Sequence, residues 1–411
     1  MTIEYKQTVL ENGLTIAAEV DDSAHSAAIG FFVKTGARDE ASEVMGVSHF
    51  LEHMMFKGTE TRRAEDVDKG FDDLGAEHNA FTTSEMTAFH AHALPEQLGA
   101  ATEILADIMR PSIRVEDFDD EKSVILEEIA MYADNPFWVL YERAMEEYYG
   151  AHPLGHRVLG TNDTVANMQR EAMKSYFDHR YSADNTVVAL AGKIDFEGMV
   201  EQLRAGCGNW NTTNAVRAYP DALGEVREFT LERETVHQHY LLMIAPAPGV
   251  TDEQRYAAGM LAAVLGDSEG SRLYWALVDP GLAEEAVVQH DGRDGQGEYL
   301  VYAACDPRKA AEVEKKVREE MAGVIDTITE DDLVRVRNKV LTAATLHGEL
   351  PAGRMRRLGQ VLTYQGEYRS LEDELQRMNA VTLKEMRAVH EAYPFVPRVV
   401  GRMRPEGNPE G

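Results

Sequence analysis

Apolar and polar residues alternate or cluster in short stretches that predict five strands in the first half of the chain. Residues 14–20 and 87–94 show the alternation that is typical of a strand with one buried face, and residues 79–83 are predicted as a further strand. Residues 27–33 and 187–192 are short apolar runs, as expected for strands that are buried on both faces. These stretches predict a sheet.

Between these strands lie longer segments in which apolar residues recur at helical spacing. They predict helices over residues 46–56, 64–74, 95–109 and 115–132, and Gly75 ends the second of them. Since strands and helices are interspersed, the chain is expected to adopt an α/β (α+β) fold.

The second half of the chain resembles a diverged copy of the first. A strand is predicted over residues 238–245 and a helix over 252–265, in the same order as before. Three landmarks recur at offsets of 209–212 positions: Met168, Tyr181 and Gly192, and then Met378, Tyr393 and Gly401. Nearly constant offsets favour an internal duplication, although two ordinary helix–strand units could also match by coincidence. The polar stretch 206–227 is the predicted linker, with domains over 1–215 and 216–411.

The amino-acid composition of the chain limits which kinds of binding partner and compartment are expected. Acidic residues outnumber basic ones by 71 to 41 among 411 residues, for a formal charge of −30, so binding to nucleic acid or to an anionic membrane surface is not expected. No apolar run reaches the ~20 residues of a membrane-spanning helix. The two cysteines, Cys207 and Cys305, lie far apart and indicate no disulfide framework. We expect a cytoplasmic protein.

The most specific chemical signal is the sequence His49-Phe50-Leu51-Glu52-His53, which lies in a predicted helix. Residues four apart occupy the same helix face, so both imidazoles can bind one metal ion. Glu52 lies near that face and can take a proton from a water molecule activated by zinc. Such a pair also occurs by chance, and a carboxylate beside two imidazoles can be a plain ion-pair cluster.

A catalytic zinc ion usually has three protein ligands and one water. The predicted helix 115–132 offers Glu121, Glu127 and Glu128. Glu121 and Glu128 share a face because they are seven residues apart, whereas Glu127 points about 100° away. Glu128 is therefore the expected third ligand, and Glu121 is expected to orient the ligands by hydrogen bonding.

With its flanking residues, this region resembles the pitrilysin and mitochondrial processing peptidase family of inverzincin zinc peptidases. The matching segment is Gly46-Val-Ser-His-Phe-Leu-Glu-His-Met-Met-Phe-Lys-Gly-Thr59, and Glu128 follows His53 by 75 positions, as the third ligand does in that family. The resemblance implies two similar halves, each a mostly antiparallel sheet packed with helices, that close like a clam. It further implies one zinc ion per chain, with peptide substrate paired along the strand that contains Asn79 and Ala80.

One segment departs from the family pattern. Active relatives have an Arg in the second half and a Tyr seven residues later, just after Gly-Leu-Ala. Here the segment 276–284 has no Arg at the matching position, and Glu284 stands where the Tyr is expected. Because His49, Glu52, His53 and Glu128 are all present, we nevertheless expect a zinc metalloendopeptidase for short or unfolded peptides. The alternative is a non-catalytic or weakly active subunit that binds peptides and pairs with itself or with a related subunit.

Overall fold

The computed structural model describes residues 3–217 and 226–407. Its eleven strands form two sheets. The strands are β1 (Glu4–Val9), β2 (Thr15–Val20), β3 (Ala27–Val33), β4 (Glu77–Thr82), β5 (Thr87–Ala93), β6 (Thr186–Gly192), β7 (Arg227–Arg233), β8 (His239–Ala247), β9 (Glu285–Gly292), β10 (Gly297–Cys305) and β11 (Val399–Pro405).

Fourteen α-helices are present in the described part of the chain. They are α1 (Val47–Phe56), α2 (Ala64–Leu74), α3 (Leu98–Ile108), α4 (Val115–Ala133), α5 (Pro136–Tyr149), α6 (Asn162–Asn167), α7 (Arg170–Arg180), α8 (Phe196–Cys207), α9 (Arg255–Gly266), α10 (Ala310–Thr327), α11 (Glu330–Glu349), α12 (Pro351–Gln365), α13 (Leu371–Ala380) and α14 (Leu383–Ala392).

The described chain divides into two compact units. The first contains residues 3–130, 156–217 and 346–369, and the second contains residues 131–155, 226–345 and 370–407. Part of the predicted linker, residues 218–225, lies outside the described residues.

The first unit is built on a six-stranded sheet with the order β1-β2-β6-β3-β5-β4, in which only β2 and β6 run parallel. Successive residues of a strand point to opposite faces. Accordingly, Ile29 and Phe31 of β3 join a core with helices such as α1 and α3, whereas Ala28 and Phe32 pack against α12 on the other face. Gly359 allows this close approach, because a Cβ atom there would lie 2.2 Å from the Phe32 ring.

The second unit repeats this arrangement. Its sheet has the order β7-β11-β8-β10-β9, and again only one pair, β7 and β11, runs parallel. Leu241 and Met243 of β8 face a core with α9 and α10, and Leu242 and Ile244 face α5. Five strands of the first sheet, β2-β6-β3-β5-β4, therefore have counterparts in the same order, as an internal duplication requires. The predicted fold class is confirmed: both sheets are mostly antiparallel and packed with helices.

The helix on the second face of each sheet comes from the opposite half of the sequence. Helix α12 belongs in sequence to the predicted second domain yet packs on β2, β3 and β6 of the first unit. Helix α5 belongs to the predicted first domain and packs on β8 and β11 of the second unit. The two units do not follow a single division of the sequence at the predicted boundary of 215. Segment 131–155 belongs to the second unit, and segment 346–369 belongs to the first. The resemblance also implies that the first half, 1–215, carries the zinc and that the second half, 216–411, completes the substrate chamber, and these roles stay predictions.

Candidate metal centre

Helix α1 begins where the backbone requires a glycine. Gly46 has φ +94°, and a Cβ atom there would lie 2.6 Å from the Leu159 carbonyl oxygen. The buried Glu40 carboxylate accepts hydrogen bonds from the backbone N–H groups of Gly46 at 2.7 Å and Ser48 at 2.8 Å. Burial raises the pKa of Glu40 to about 8, although both hydrogen bonds oppose the shift. The contacts satisfy two backbone N–H groups at the start of α1 and so fix where the helix begins.

One face of α1 is anchored in the core of the first unit. Its fully buried apolar residues are Val47, Phe50, Leu51, Met54 and Met55. The three candidate site residues of the motif, His49, Glu52 and His53, are spaced by three and four positions and share another side of the helix. The apolar residues thereby determine which way the motif points.

The two imidazoles of α1 face the same carboxylate oxygen of α4. Nε2 of His49 lies 3.7 Å from Oε2 of Glu128, and Nε2 of His53 lies 3.5 Å from the same oxygen. The two rings are 4.7 Å apart between centroids. The structure therefore brings together the three predicted ligands from two separate helices.

These three donors fit a zinc ion. Two nitrogens and one oxygen about 2.0–2.1 Å from a tetrahedral ion would lie roughly 3.3–3.4 Å apart, close to the observed separations. His49 is 8% exposed, and its burial, followed by the charge of His53, lowers the pKa of His49 to about 3. The ring is thus neutral, as metal binding requires. Its Nδ1 is buried and has no hydrogen-bond partner among the described residues.

The register of α4 distinguishes its adjacent acidic residues. Glu128 is half-buried and faces the two histidines, whereas Glu127 is exposed. A rotation of about 100° per residue separates the two side chains. The placement agrees with the choice of Glu128 over Glu127 as the candidate ligand.

Glu121 lies seven residues, or about two helical turns, before Glu128 and is 4% exposed. Its Oε1 is 2.8 Å from Nδ1 of His53, and its Oε2 is 2.5 Å from Nζ of Lys57. Burial alone would raise the pKa of Glu121, but the hydrogen bonds from His53 and Lys57 outweigh it and the pKa is lowered. For His53, burial opposes protonation, but the hydrogen bond to Glu121 and the surrounding carboxylates raise its pKa. A charged Glu121 that accepts the Nδ1 proton leaves Nε2 of His53 available as a ligand.

The candidate base, Glu52, has a hydrogen-bond partner that the sequence analysis did not single out. The Thr82 hydroxyl donates to Oε2 of Glu52 at 2.6 Å. Burial raises the pKa of Glu52, while the Thr82 hydrogen bond and the charge of His53 partly oppose this. The available signal was the segment Asn79-Ala-Phe-Thr82, but sequence spacing alone does not connect its last residue to Glu52.

Thr82 ends β4, which forms one edge of the first sheet. Asn79 on this strand is exposed, and its side-chain oxygen accepts a hydrogen bond from the Ala80 N–H at 2.8 Å. Ala80 packs against the core shared with α1. The two predicted substrate contacts thus lie on an edge strand that borders the candidate metal centre.

Comparison with known proteins identifies the family. Residues 15–162 match the family model "Insulinase (Peptidase family M16)", and residues 167–340 match "Peptidase M16 inactive domain". A Mycobacterium leprae protein called an uncharacterized zinc protease is 34% identical over 390 residues, which covers 93% of this chain and 88% of that protein. The chain belongs to peptidase family M16.

Other M16 relatives cover the chain almost completely. An uncharacterized zinc protease of Bacillus subtilis is 29% identical over 406 residues, covering 98% of this chain and 99% of that protein. The crystal structure of a protease from Helicobacter pylori superimposes with a TM-score of 0.92 at 20% identity, covering 98% of this chain and 100% of that one. The latter likeness concerns the fold alone.

The second M16 segment lacks the expected donor side chains. In the segment 276–284, where the resemblance implies an Arg and a Tyr, Leu277 is buried in the apolar core of the second unit and Glu284 is exposed. Neither an aliphatic side chain nor a carboxylate can donate a hydrogen bond at neutral pH.

Among the described residues, none of the helices is long and apolar enough to cross a membrane.

Proposed function

We propose that this M16 chain is a zinc-dependent endopeptidase that binds one zinc ion through His49, His53 and Glu128. The observation that carries the proposal is the convergence of both Nε2 atoms on one oxygen of Glu128, at 3.7 and 3.5 Å. The names of the M16 relatives from Mycobacterium leprae and Bacillus subtilis, both called zinc proteases, support the choice of metal.

In this proposal Glu52 is the general base and then the general acid. Zinc with three protein ligands lowers the pKa of a coordinated water to about 7 and polarises a substrate carbonyl. Glu52 accepts the proton of the attacking water and passes it to the leaving amine. Its burial supports this role, because it raises the pKa of Glu52 toward the range in which a carboxylate can both accept and release a proton.

The edge strand β4 supports a peptide substrate that binds in an extended conformation. A strand added to a sheet edge is held by backbone hydrogen bonds, which makes few demands on side chains. Asn79 and Ala80 are the proposed contacts. Because only an extended segment can pair in this way, the proposed substrates are short or unfolded peptides.

The alternative is a non-catalytic or weakly active subunit that works as a homodimer or with a related subunit. The specific observation in its favour is the segment 276–284, which is one residue shorter than the family pattern, has no Arg at the matching place and has Glu284 where the resemblance implies a Tyr. An intact set of ligands and base in the first unit favours the peptidase.

We also propose a cytoplasmic location. Cys207 and Cys305 are both free and buried, which is compatible with a reducing compartment. Fractionation of cells that express the chain, followed by immunodetection, tests this location.

The decisive experiment is hydrolysis of a mixed peptide library by the purified chain, with and without a chelator. Glu52→Gln is the matched control, because it keeps the three ligands. We expect cleavage that the chelator and the substitution each abolish. Zinc binding without cleavage would favour the non-catalytic alternative, and cleavage that survives the chelator would contradict the proposal.

A further inference from the structure

The contact between Glu52 and Thr82 joins two elements that the proposed function treats separately. Glu52 lies on α1 with the candidate ligands, and Thr82 ends the edge strand β4. The 2.6 Å hydrogen bond from the Thr82 hydroxyl is the one side-chain hydrogen bond of Glu52 within the described residues. Both side chains are half-buried, so solvent competes only partly for this contact.

The end of β4 is held in place by the segment that leads into α1. In the turn after β4, the Ser84 carbonyl accepts a hydrogen bond from the Arg38 N–H at 2.7 Å. The Arg38 guanidinium also forms a 2.5 Å ion pair with Glu85, and these two residues are 6% and 1% exposed. A buried, hydrogen-bonded ion pair constrains its surroundings, because breaking it would leave an uncompensated charge. The strand end therefore has little freedom to move relative to α1.

Strand geometry places Thr82 on the side of β4 that faces α1. Side chains alternate along a strand, so Thr82 shares a face with Ala80, which packs against the core that includes α1. Asn79 and Phe81 lie on the opposite face, where Arg356 of α12 stands over the Phe81 ring at 5.0 Å. The alternation of side chains along β4 thus places the Thr82 hydroxyl on the face where Glu52 lies.

We propose that Thr82 is a positioning residue for the peptidase reaction. Its hydroxyl orients the Glu52 carboxylate by donating a hydrogen bond to Oε2. The inference rests on the proposed function. With Oε2 engaged by a donor, Oε1 is the oxygen that takes the proton from water, and rotation of the carboxylate is restricted. A base held in the reactive orientation matters because small misplacements of reacting groups cost about 10²-fold in rate.

The test compares Thr82→Val, which keeps the shape but removes the hydroxyl, with Thr82→Ser, which keeps the hydroxyl. We expect Thr82→Val to lower kcat by about 10- to 100-fold, with KM and zinc content close to those of the unmodified chain. Thr82→Ser should restore most of kcat. Thr61→Val is the matched control, since the Thr61 hydroxyl also donates to a carboxylate, that of Asp107 at 3.1 Å, outside the site. It should leave kcat unchanged.

Unchanged kcat in Thr82→Val, or a raised KM with unchanged kcat, would overturn the positioning role. Loss of zinc or of thermal stability in both Thr82 variants would also overturn it, since this would indicate a merely structural contact. Crystal structures of the zinc-loaded chain and of Thr82→Val give a readout that does not depend on turnover. The proposal requires the Glu52 carboxylate to rotate or become disordered in the variant, and an unmoved carboxylate contradicts it. If the unmodified chain cleaves nothing, the proposed function fails, while these structures still decide whether Thr82 orients Glu52.

Discussion

The two units share a strand order, but only the first has candidate metal-binding residues on the helix that follows its central strand. In the first unit β3 leads to α1, with His49, Glu52 and His53. In the second unit the counterpart strand β8 leads to α9, which contains no histidine, aspartate or glutamate. Most of α9 is buried, including Met260 and Leu261. A helix is present in both places, whereas the candidate metal-binding residues are found on only one of them.

The helices α4 and α11 differ in the same way. Glu121 and Glu128 precede the proline that starts α5 by 15 and 8 residues, and the residues at the same distances before the proline of α12 are Val336 and Ala343. Val336 is 1% exposed in an apolar core, whereas Glu121 is 4% exposed but paired with His53 and Lys57. A buried carboxylate is tolerated only where partners compensate its desolvation. The comparison shows which polar residues the fold itself does not need.

The strongest test of this contrast is Glu52→Gln. If the chemistry resides on α1, the substitution should lower turnover by about 10²- to 10⁴-fold, because the proton acceptor is lost while the ligands remain. Steady-state kinetics with a cleaved peptide, together with zinc analysis by mass spectrometry, measures both effects. Turnover equal to that of the unmodified chain would remove Glu52 from the mechanism.

A second prediction concerns whether the second unit provides a hydrogen-bond donor for the reaction. The side chains of Leu277, Val278 and Glu284 cannot donate a hydrogen bond to the oxyanion of the tetrahedral intermediate at neutral pH. Loss of one such donor typically costs about 10²–10³ in rate. A related subunit that has the Arg and Tyr should raise turnover by that factor without changing the zinc content. Assays of the chain alone and of the mixture provide the measurement. Fast turnover by the isolated chain would exclude this dependence on a partner.

A smaller effect is expected from Glu121→Gln. The amide can still accept a hydrogen bond from His53 but no longer carries the charge that faces Lys57 and His53. Zinc affinity should fall by about 10- to 100-fold, the range for residues that orient a ligand without binding the metal. Competition with a chromogenic chelator measures the affinity. An affinity equal to that of the unmodified chain would contradict the role of the Glu121 charge in orienting His53 for zinc.

Sequence periodicity predicted the elements around the site closely, because the pattern there is set by local burial. Helix α1 was predicted over 46–56 and is found as Val47–Phe56, and α2 was predicted over 64–74 and is found as Ala64–Leu74. Strand β4 begins at Glu77, two residues earlier than predicted, and the predicted helix 95–109 is a short 3₁₀ turn followed by α3. These differences lie at element ends, where few contacts determine the assignment.

Two features were not predictable from local pattern. The amphipathic helices α5 and α12 each cover a sheet in the unit opposite to their half of the sequence, and periodicity shows that a helix has an apolar face but not which sheet that face meets. The contact between Glu52 and Thr82 spans 30 positions and depends on how β4 meets α1. Both features are set by tertiary packing and become visible only in the structure.

The most direct test of the proposed metal centre is the zinc content of the purified chain beside Glu128→Gln and Glu127→Gln. These variants make the same chemical change on adjacent residues of α4, but only Glu128 faces the two histidines. We predict one zinc ion per chain in the unmodified protein and in Glu127→Gln, and a zinc affinity lowered by more than ~100-fold in Glu128→Gln, beyond the effect of a merely orienting residue. Zinc retained in Glu128→Gln, or lost in Glu127→Gln alone, would contradict the proposed metal centre.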